Sequence, residues 1–172
     1  LNRVYFHTFT CSPAEQGIPG QEYFAGTHVN PRVTWWSKSA PFIDYMHRVQ
    51  MLAQEGTFVA DVLYYYGDHV PNVYPFKHSD MPGVMFGFDY DVTDENILMK
   101  LGVEDGDIVV PGGRRYKVLV LPDHRVLSLP VLKKLEMLVK EGASVLGPKP
   151  QKAVSLSGGE KGGAEFKELA DL

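Results

Sequence analysis

The chain has 172 residues, of which 44% are hydrophobic and 22% are charged, as in an ordinary globular protein. This composition excludes wholesale disorder and collagen-like repeats, and no apolar run reaches the roughly 20 residues needed for a membrane span. The net charge of −4 argues against a nucleic-acid partner, and the single cysteine, Cys11, excludes an internal disulfide.

The first quarter of the chain predicts a strand, a long loop and a helix. Residues 2–10 are rich in β-branched and aromatic side chains, which favours a strand. Three prolines and three glycines mark residues 12–31 as a loop, and a loop of this length is usually functional. Apolar residues then recur at helical spacing from Phe42 to Ala53, with Ser39 as the expected N-cap and Gly56 at the end.

The rest of the chain alternates strands and helices. Such alternation predicts right-handed βαβ units and a doubly wound parallel sheet. Because the leading strand, loop and helix do not fit that sheet, we expect the end of one domain over 1–56 and the front of another over 57–172. The elements expected in the second part are a strand over 58–66, a loop over 70–87, a helix over 94–101 capped by Thr93, a hairpin beginning at Asp107, a strand over 116–121, a helix capped by Ser128 and ended by Gly142, a strand over 143–147 and a helix over 160–172.

The strongest candidate for chemistry is the segment 20–36, in which aromatic rings alternate with Glu, His, Asn and Arg. Sugars need that mixture, because their C–H faces pack on rings and their hydroxyls need polar partners. The alternative is a rigid loop in which Trp35 and Trp36 pack against the core. His7, at the end of the first predicted strand, either lines an active site or is a hydrogen-bonded core residue.

Several weaker signals have simpler interpretations beside their functional ones. Glu15 and Glu22 could form a carboxylate pair for glycoside hydrolysis, although two glutamates in one loop are common by chance. Cys11 is more often an inert small residue than a nucleophile. The motif Asp89-Tyr90-Asp91 suggests either metal binding or capping of the helix that follows.

Nucleotide binding is not expected in the second part of the chain. Residues 64–68 end the first strand of the predicted sheet, where open α/β folds bind ligands, but no glycine-rich phosphate fingerprint follows. The glycine-rich run at 158–163 lacks the Gly-Lys-Ser/Thr ending of a phosphate loop. We therefore interpret that run as a surface loop.

Short segments along nearly the whole chain match those of one known family. The matching segments are His7-Thr8-Phe9-Thr10, Ser12-Pro13, Pro19-Gly20, Gly26-Thr27-His28, Thr34-Trp35-Trp36, Val59-Ala60-Asp61-Val62, Gly67-Asp68, Asp89-Tyr90-Asp91, residues 116–122 and residues 141–150. On these segments the chain resembles the alpha-L-rhamnosidases of glycoside hydrolase family 106. Cys11 departs from the polar residue that the family pattern leads us to expect after Thr10.

The resemblance implies a large enzyme with a (β/α)8 catalytic barrel followed by a flavodoxin-like or amidotransferase-like domain. Residues 1–56 would then be the last barrel strand, its active-site loop and its helix, and residues 57–172 would be part of the doubly wound domain. The implied reaction is inverting hydrolysis of terminal alpha-L-rhamnosyl linkages by two carboxylates, with a calcium ion near the sugar. The carboxylates and calcium ligands are expected upstream, outside this chain, so no catalytic or metal residue is assigned here.

The same resemblance implies that this chain contributes part of the wall of the substrate pocket. The expected substrate-binding residues are His7, His28, Asn30, Trp35 and Trp36. The expected partners are a rhamnose-containing glycoside, oligosaccharide or polysaccharide and the remainder of the same polypeptide, in a periplasmic or secreted location. The chain alone should be inactive and should leave an apolar face open around Val4, Phe6, Phe42, Tyr45 and Val49.

Three alternatives to this assignment stay open at the level of sequence. Another barrel glycosidase, of the beta-galactosidase type, could carry the same appended domain. The chain could instead be a non-catalytic carbohydrate-binding or assembly module. A flavodoxin-like cofactor binder is the third alternative, against which the missing phosphate-loop chemistry argues.

Overall fold

A computed structural model of the protein describes residues 2–7, 13–18, 20, 29–71, 87–154 and 159–171. The chain divides into two compact units, Leu1–Thr57 and Phe58–Leu172. No helix of the described residues is both long enough and apolar enough to cross a membrane.

The first unit is built around one long helix, α1, which spans Ala40–Glu55. A 3-10 turn at Trp36–Lys38 leads directly into it, so Ser39 already has a helical backbone, with φ −74° and ψ −21°. An N-cap residue needs an extended backbone to aim its side chain at the first turn. The prediction that Ser39 caps this helix is therefore wrong, although Gly56 follows its end as expected.

The segment expected to be the first strand pairs with no strand over the described residues 2–7. Its backbone groups bond to side chains of α1 instead. The Val4 N–H donates to Gln50 Oε1 at 2.9 Å, and Gln54 Nε2 donates to the Asn2 carbonyl at 2.7 Å. A strand needs a neighbouring strand to satisfy its backbone, so composition alone was misleading over these residues. Residues 8–10 of that prediction lie outside the described residues.

The apolar face expected in the first unit is open to solvent. No residue of α1 is buried, and Phe42 and Tyr45 are 50% and 57% exposed. Phe6 is also exposed, whereas Val4 and Val49 are half-buried. The prediction of an uncovered apolar face is thus confirmed for the three aromatic residues.

The second unit contains nine short strands and three helices among its described residues. A four-stranded parallel sheet forms its centre, with strand order β2-β1-β6-β8, beside a three-stranded antiparallel sheet β3-β4-β5 and the pair β7-β9. The strands are β1 (Val62–Tyr65), β2 (Tyr90–Thr93), β3 (Gly102–Glu104), β4 (Asp107–Val109), β5 (Arg115–Tyr116), β6 (Val118–Val120), β7 (Val126–Leu127), β8 (Val145–Leu146) and β9 (Lys152–Ala153), and the helices are α2 (Glu95–Leu98), α3 (Leu129–Lys140) and α4 (Gly159–Ala170).

The predicted α/β class with a parallel sheet is confirmed. Strand β1 lies between β2 and β6, with Val62 beside Tyr90 on one side and Val118 on the other. All four residues of β1 are buried, as its continuous apolar run predicts for a strand covered on both faces. In chain order the parallel strands run 2-1-3-4, which is the beginning of one common doubly wound order.

The main core fills one side of this sheet. Leu63 and Leu119 pack there with Leu135 and Leu138 of α3 and with Phe166 of α4. The other side is a smaller cluster of Val62, Tyr64 and Val120. The leucine periodicity that predicts α3 is thus explained, because one face of that helix covers the sheet.

Local capping agrees with prediction at one helix and differs at another. The Ser128 hydroxyl accepts from the Val131 N–H at 3.4 Å and caps α3, as expected. At α2 the cap is Asp94, whose Oδ1 accepts from the Ile97 N–H at 3.0 Å. The prediction of Thr93 is wrong, because Thr93 is the buried last residue of β2 and its hydroxyl donates to the Asp94 carbonyl.

The predicted hairpin beginning at Asp107 is present as β4 and β5, and β3 extends it on the other side. The predicted strand over 116–121 is split in the structure. Tyr116 stays in the hairpin, whereas Val118–Val120 joins the parallel sheet as β6. The chain therefore passes from one sheet to the other at Lys117.

Candidate functional site

The predicted sugar-binding residues all belong to the first unit. Asn30 is buried, and its Oδ1 accepts from the Arg32 N–H at 2.8 Å, which closes a local turn. Arg32 Nη1 in turn donates to the carbonyls of Pro13 and Gly17. The turn at Asn30 is thereby tied to the start of the long loop, while His28 lies outside the described residues.

The two tryptophans form a pair at the entrance to α1. Their ring centroids are 6.3 Å apart with the planes tilted by 54°. Trp35 is 38% exposed and Trp36 is half-buried, so part of one ring faces solvent. His7 is exposed as well. The role of these residues as a sugar-binding wall stays a prediction.

Of the weaker candidates in the loop, the structure describes Glu15 alone. Glu15 is exposed on the 3-10 turn Ala14–Gln16. Glu22 and Cys11 lie outside the described residues. A catalytic carboxylate pair is therefore not assigned to this loop.

In the second unit, Asp68 joins the carboxyl end of β1 to the start of α3. The Tyr65 hydroxyl donates to Asp68 Oδ1, and the Ser128 N–H donates to Asp68 Oδ2 at 2.6 Å. Burial, followed by the hydrogen bond to Asp68, raises the pKa of Tyr65 far above its usual range. Tyr65 therefore remains a neutral hydrogen-bond donor to this carboxylate.

This arrangement leaves little room for a phosphate at the edge where doubly wound folds bind nucleotides. The Asp68 carboxylate already lies at the Ser128 N–H, and the Ser128 hydroxyl takes the Val131 N–H. Pro130, in the first turn of α3, has no N–H to offer. The start of α3 therefore offers an incoming phosphate neither the Ser128 N–H nor the Val131 N–H.

Close to Asp68, His124 has an unusual environment that the sequence did not indicate. Both of its ring nitrogens are buried and make no hydrogen bond to the described part of the chain. Its ring lies 5.2 Å from that of His69, and Gly67 approaches it closely. A Cβ at Gly67 would lie 2.7 Å from His124 Cε1. The chain thus places an imidazole with two buried nitrogens at the end of the parallel sheet.

A cleft of about 480 Å³ runs along β2, the edge strand of the sheet. Asp91 Oδ2 accepts from the Tyr116 hydroxyl at 2.6 Å and lies 3.5 Å from Arg114 Nη1. Burial, together with the bond to Asp91, raises the pKa of Tyr116 to about 12. The described lining residues are Leu63, Tyr66, Asp91, Val92, Thr93, Asp94, Ile97, Val110, Arg114 and Tyr116.

Neither interpretation of the Asp89-Tyr90-Asp91 motif agrees with this geometry. Over residues that the structure describes, no three His, Cys, Asp or Glu side chains converge as metal ligands. The helix cap is Asp94, and Asp91 bonds to the hairpin instead. The motif leads into an edge strand that begins at Tyr90, which sequence reasoning missed because aspartate has a low β propensity.

Comparison with known proteins identifies the class and then the family. The sequence model of a glycoside hydrolase family matches residues 1–172, so the chain belongs to a family of enzymes that cleave glycosidic bonds. That family is glycoside hydrolase family 106, described as alpha-L-rhamnosidase. The resemblance noted in the sequence is thereby confirmed.

This chain spans only a small part of the length of two relatives. A protein of Formosa agariphila that carries the provisional name of a beta-glucuronidase is 38% identical over 172 residues, which are 100% of this chain and 14% of that relative. The structure of a rhamnosidase from Novosphingobium sp. PP1Y is 30% identical, with a TM-score of 0.67. The matched region is 87% of this chain and 14% of the chain of that rhamnosidase.

Proposed function

We propose that the longer polypeptide containing this chain hydrolyses terminal alpha-L-rhamnosyl linkages with inversion of configuration. The observation that carries the proposal is the family match over residues 1–172, which the similarity to a solved rhamnosidase supports. In an inverting hydrolase one carboxylic acid protonates the leaving oxygen while a second carboxylate activates water on the opposite face of the sugar. Both groups are placed outside this chain.

In this proposal the chain supplies structure around the sugar rather than the reacting groups. Residues 1–56 are the end of the catalytic barrel, and residues 57–172 belong to a doubly wound, flavodoxin-like or amidotransferase-like domain. His7, His28, Asn30, Trp35 and Trp36 form pocket wall. The partly exposed ring of Trp35 supports this role, since an aromatic face packs well on the C–H face of a sugar.

Calcium, which the family resemblance implies, is not assigned to side chains of this chain. Calcium takes six to eight oxygen ligands, several of them carboxylates. The described residues bring no three potential metal-ligating side chains together. No step of the proposed reaction is therefore routed through calcium, and its ligands are placed elsewhere in the polypeptide. The resemblance also favours a periplasmic or secreted enzyme.

A second candidate function comes from the relative that is 38% identical and is named as a beta-glucuronidase. A glucuronide carries a carboxylate, so its pocket needs a cationic partner that a rhamnoside pocket does not need. Other barrel glycosidases of the beta-galactosidase type, and a non-catalytic carbohydrate-binding or assembly module, are the remaining alternatives.

One assay separates these functions. The longer polypeptide and this chain alone are each incubated with aryl alpha-L-rhamnoside, aryl beta-glucuronide and aryl beta-galactoside. We expect the longer polypeptide to release the aryl group from the rhamnoside only, with an inverted sugar product by NMR, and this chain to release none. Preference for another substrate would assign that function instead. Turnover by this chain, abolished by Glu15→Gln or Glu22→Gln, would overturn our placement of the catalytic carboxylates.

A further inference from the structure

The cleft along β2 combines an apolar wall with one charged pair. Ile97, which is 36% exposed, and Val110 form part of the wall. Asp91 and Arg114 provide the charges. The volume of about 480 Å³ lies within the range of small-molecule sites. Apolar side chains beside a few placed polar groups are typical of sites that bind small molecules.

The carboxylate of Asp91 accepts its described hydrogen bonds through one of its two oxygens. The bonds described for Asp91 all use Oδ2, and Oδ1 receives none from the residues that the structure describes. The Tyr116 hydroxyl fixes this orientation from a buried position. A ligand hydroxyl can therefore donate to Oδ1 without displacing any of these bonds.

Arg114 supplies the complementary donor. Its side chain is 52% exposed, and among the described residues its Nη1 lies at the long distance of 3.5 Å from Asp91. Acceptor and donor thus lie side by side. Two neighbouring hydroxyls of a sugar match this arrangement, because each hydroxyl both donates and accepts.

The charges around the cleft disfavour an anionic ligand. Among the described lining residues, Asp91 and Asp94 carry two negative charges and Arg114 carries one positive charge. A carboxylate or phosphate that approached Arg114 would also meet the nearby Asp91 carboxylate, which repels it. A neutral ligand meets no such repulsion.

We propose that this cleft binds a neutral saccharide through two adjacent hydroxyls. One hydroxyl donates to Asp91 Oδ1 and the other accepts from Arg114, while the C–H face of the ring packs on Ile97 and Val110. Tyr116 is a positioning residue that orients Asp91. The proposal rests on the proposed function only for the choice of L-rhamnose as the first probe.

The test is a titration of the isotopically labelled chain, followed by backbone amide shifts in NMR spectra. The probes are methyl alpha-L-rhamnoside, glucuronate and inorganic phosphate. We expect the rhamnoside to move the amide signals of Asp91, Thr93 and Arg114 in a saturable way. Arg114→Ala should weaken this binding at least about tenfold, as expected for loss of a charged hydrogen-bond donor.

Arg115→Ala is the matched control, because Arg115 is the next residue along the chain and bonds to Glu104 and Asp107 instead. It should leave rhamnoside binding unchanged. Equal loss in both variants, stronger binding of glucuronate or phosphate, or no localised shift with the rhamnoside would each overturn the proposal. The hydrolysis assay of the longer polypeptide does not depend on this result, so failure of one proposal is distinguishable from failure of the other.

Discussion

Gly67 occupies a position that a larger residue cannot share with His124. Its φ of +94° lies in the left-handed region, and an added Cβ would meet both the imidazole and Pro122 Cγ at under 3 Å. We predict that Gly67→Ala lowers the free energy of unfolding by roughly 2–4 kcal/mol, since strain and overpacking add. Urea unfolding of this chain measures the loss.

Gly112→Ala is the control for this substitution, because Gly112 has a similar φ of +102° with open space around its Cβ position. It should cost only the backbone strain, about 1 kcal/mol. Adding His124→Ala to Gly67→Ala should recover part of the lost stability, since the clash with the imidazole is then removed while that with Pro122 remains. Equal costs for the two glycines would show that the contact with His124 is unimportant.

His28 is the residue on which the proposed pocket is most simply tested, in the longer polypeptide. If its imidazole bonds a sugar hydroxyl, the loss of a buried partner costs ~1–3 kcal/mol. His28→Ala should then reduce kcat/KM roughly five- to two-hundredfold, with an almost unchanged Tm. His47→Ala, at an exposed position of α1, should alter neither quantity. An unaltered kcat/KM with a large fall in Tm would make His28 a core residue instead.

At the scale of elements, Asp94 gives α2 a pH-dependent cap. The hydrogen bond from the Ile97 N–H, followed by that from Asn96, holds the pKa of Asp94 below its usual range. A carboxyl with a lowered pKa in the folded state stabilises the fold above its unfolded pKa of about 4. This contribution disappears as the pH falls through the folded-state pKa.

We therefore predict that Asp94→Ala lowers the Tm near neutral pH and that the deficit shrinks as the pH falls to about 3. Thermal unfolding of both proteins across this pH range measures it. Asp123→Ala, a second exposed aspartate, is the control and should show a much smaller deficit. A deficit for Asp94→Ala that is constant with pH would mean that the charged form of the cap is not what matters.

Elements whose signals are local could be predicted from the sequence, and elements that depend on distant partners could not. Helix α3 has a leucine face and a Ser128 cap, and both are present in the structure. The edge strand β2 carries an aspartate at its second residue and is recognised only through its pairing with β1. Residues 2–7 have strand composition, but their backbone bonds go to α1. Pairing partners far along the chain decide such cases.

The candidate sites follow the same division. The ring pair of Trp35 and Trp36 could be foreseen, since the two residues are adjacent in sequence. The contacts of Asp91 with Arg114 and Tyr116 could not, because they join β2 to a hairpin more than 20 residues away. Likewise, nothing near His124 in sequence indicates that Gly67 and His69 enclose it. Chemistry assembled by tertiary packing needs the fold before it can be found.

For the whole molecule, the open face of α1 is the feature that bears on the proposal that residues 1–56 end a catalytic barrel. A helix that buries no residue gains little stability from its own unit. The exposed rings of Phe42 and Tyr45 leave apolar area that neighbouring barrel elements would cover. If residues 1–56 are the end of a barrel, this face is buried in the longer polypeptide and exposed in the shorter chain.

Substitutions on this face should therefore change the unfolding free energy little in this chain and strongly in the longer polypeptide. Phe42→Lys with Tyr45→Lys should change the unfolding free energy of this chain by less than about 1 kcal/mol, as exposed positions do. In the longer polypeptide the pair should cost at least about 3 kcal/mol, because packing is lost and a charge is buried. His47→Lys, on the same helix and also exposed, should be nearly neutral in both. Small and equal effects of the double substitution in both proteins would contradict the assignment of α1 to a barrel, because a face that stays solvent-exposed has no neighbour to lose.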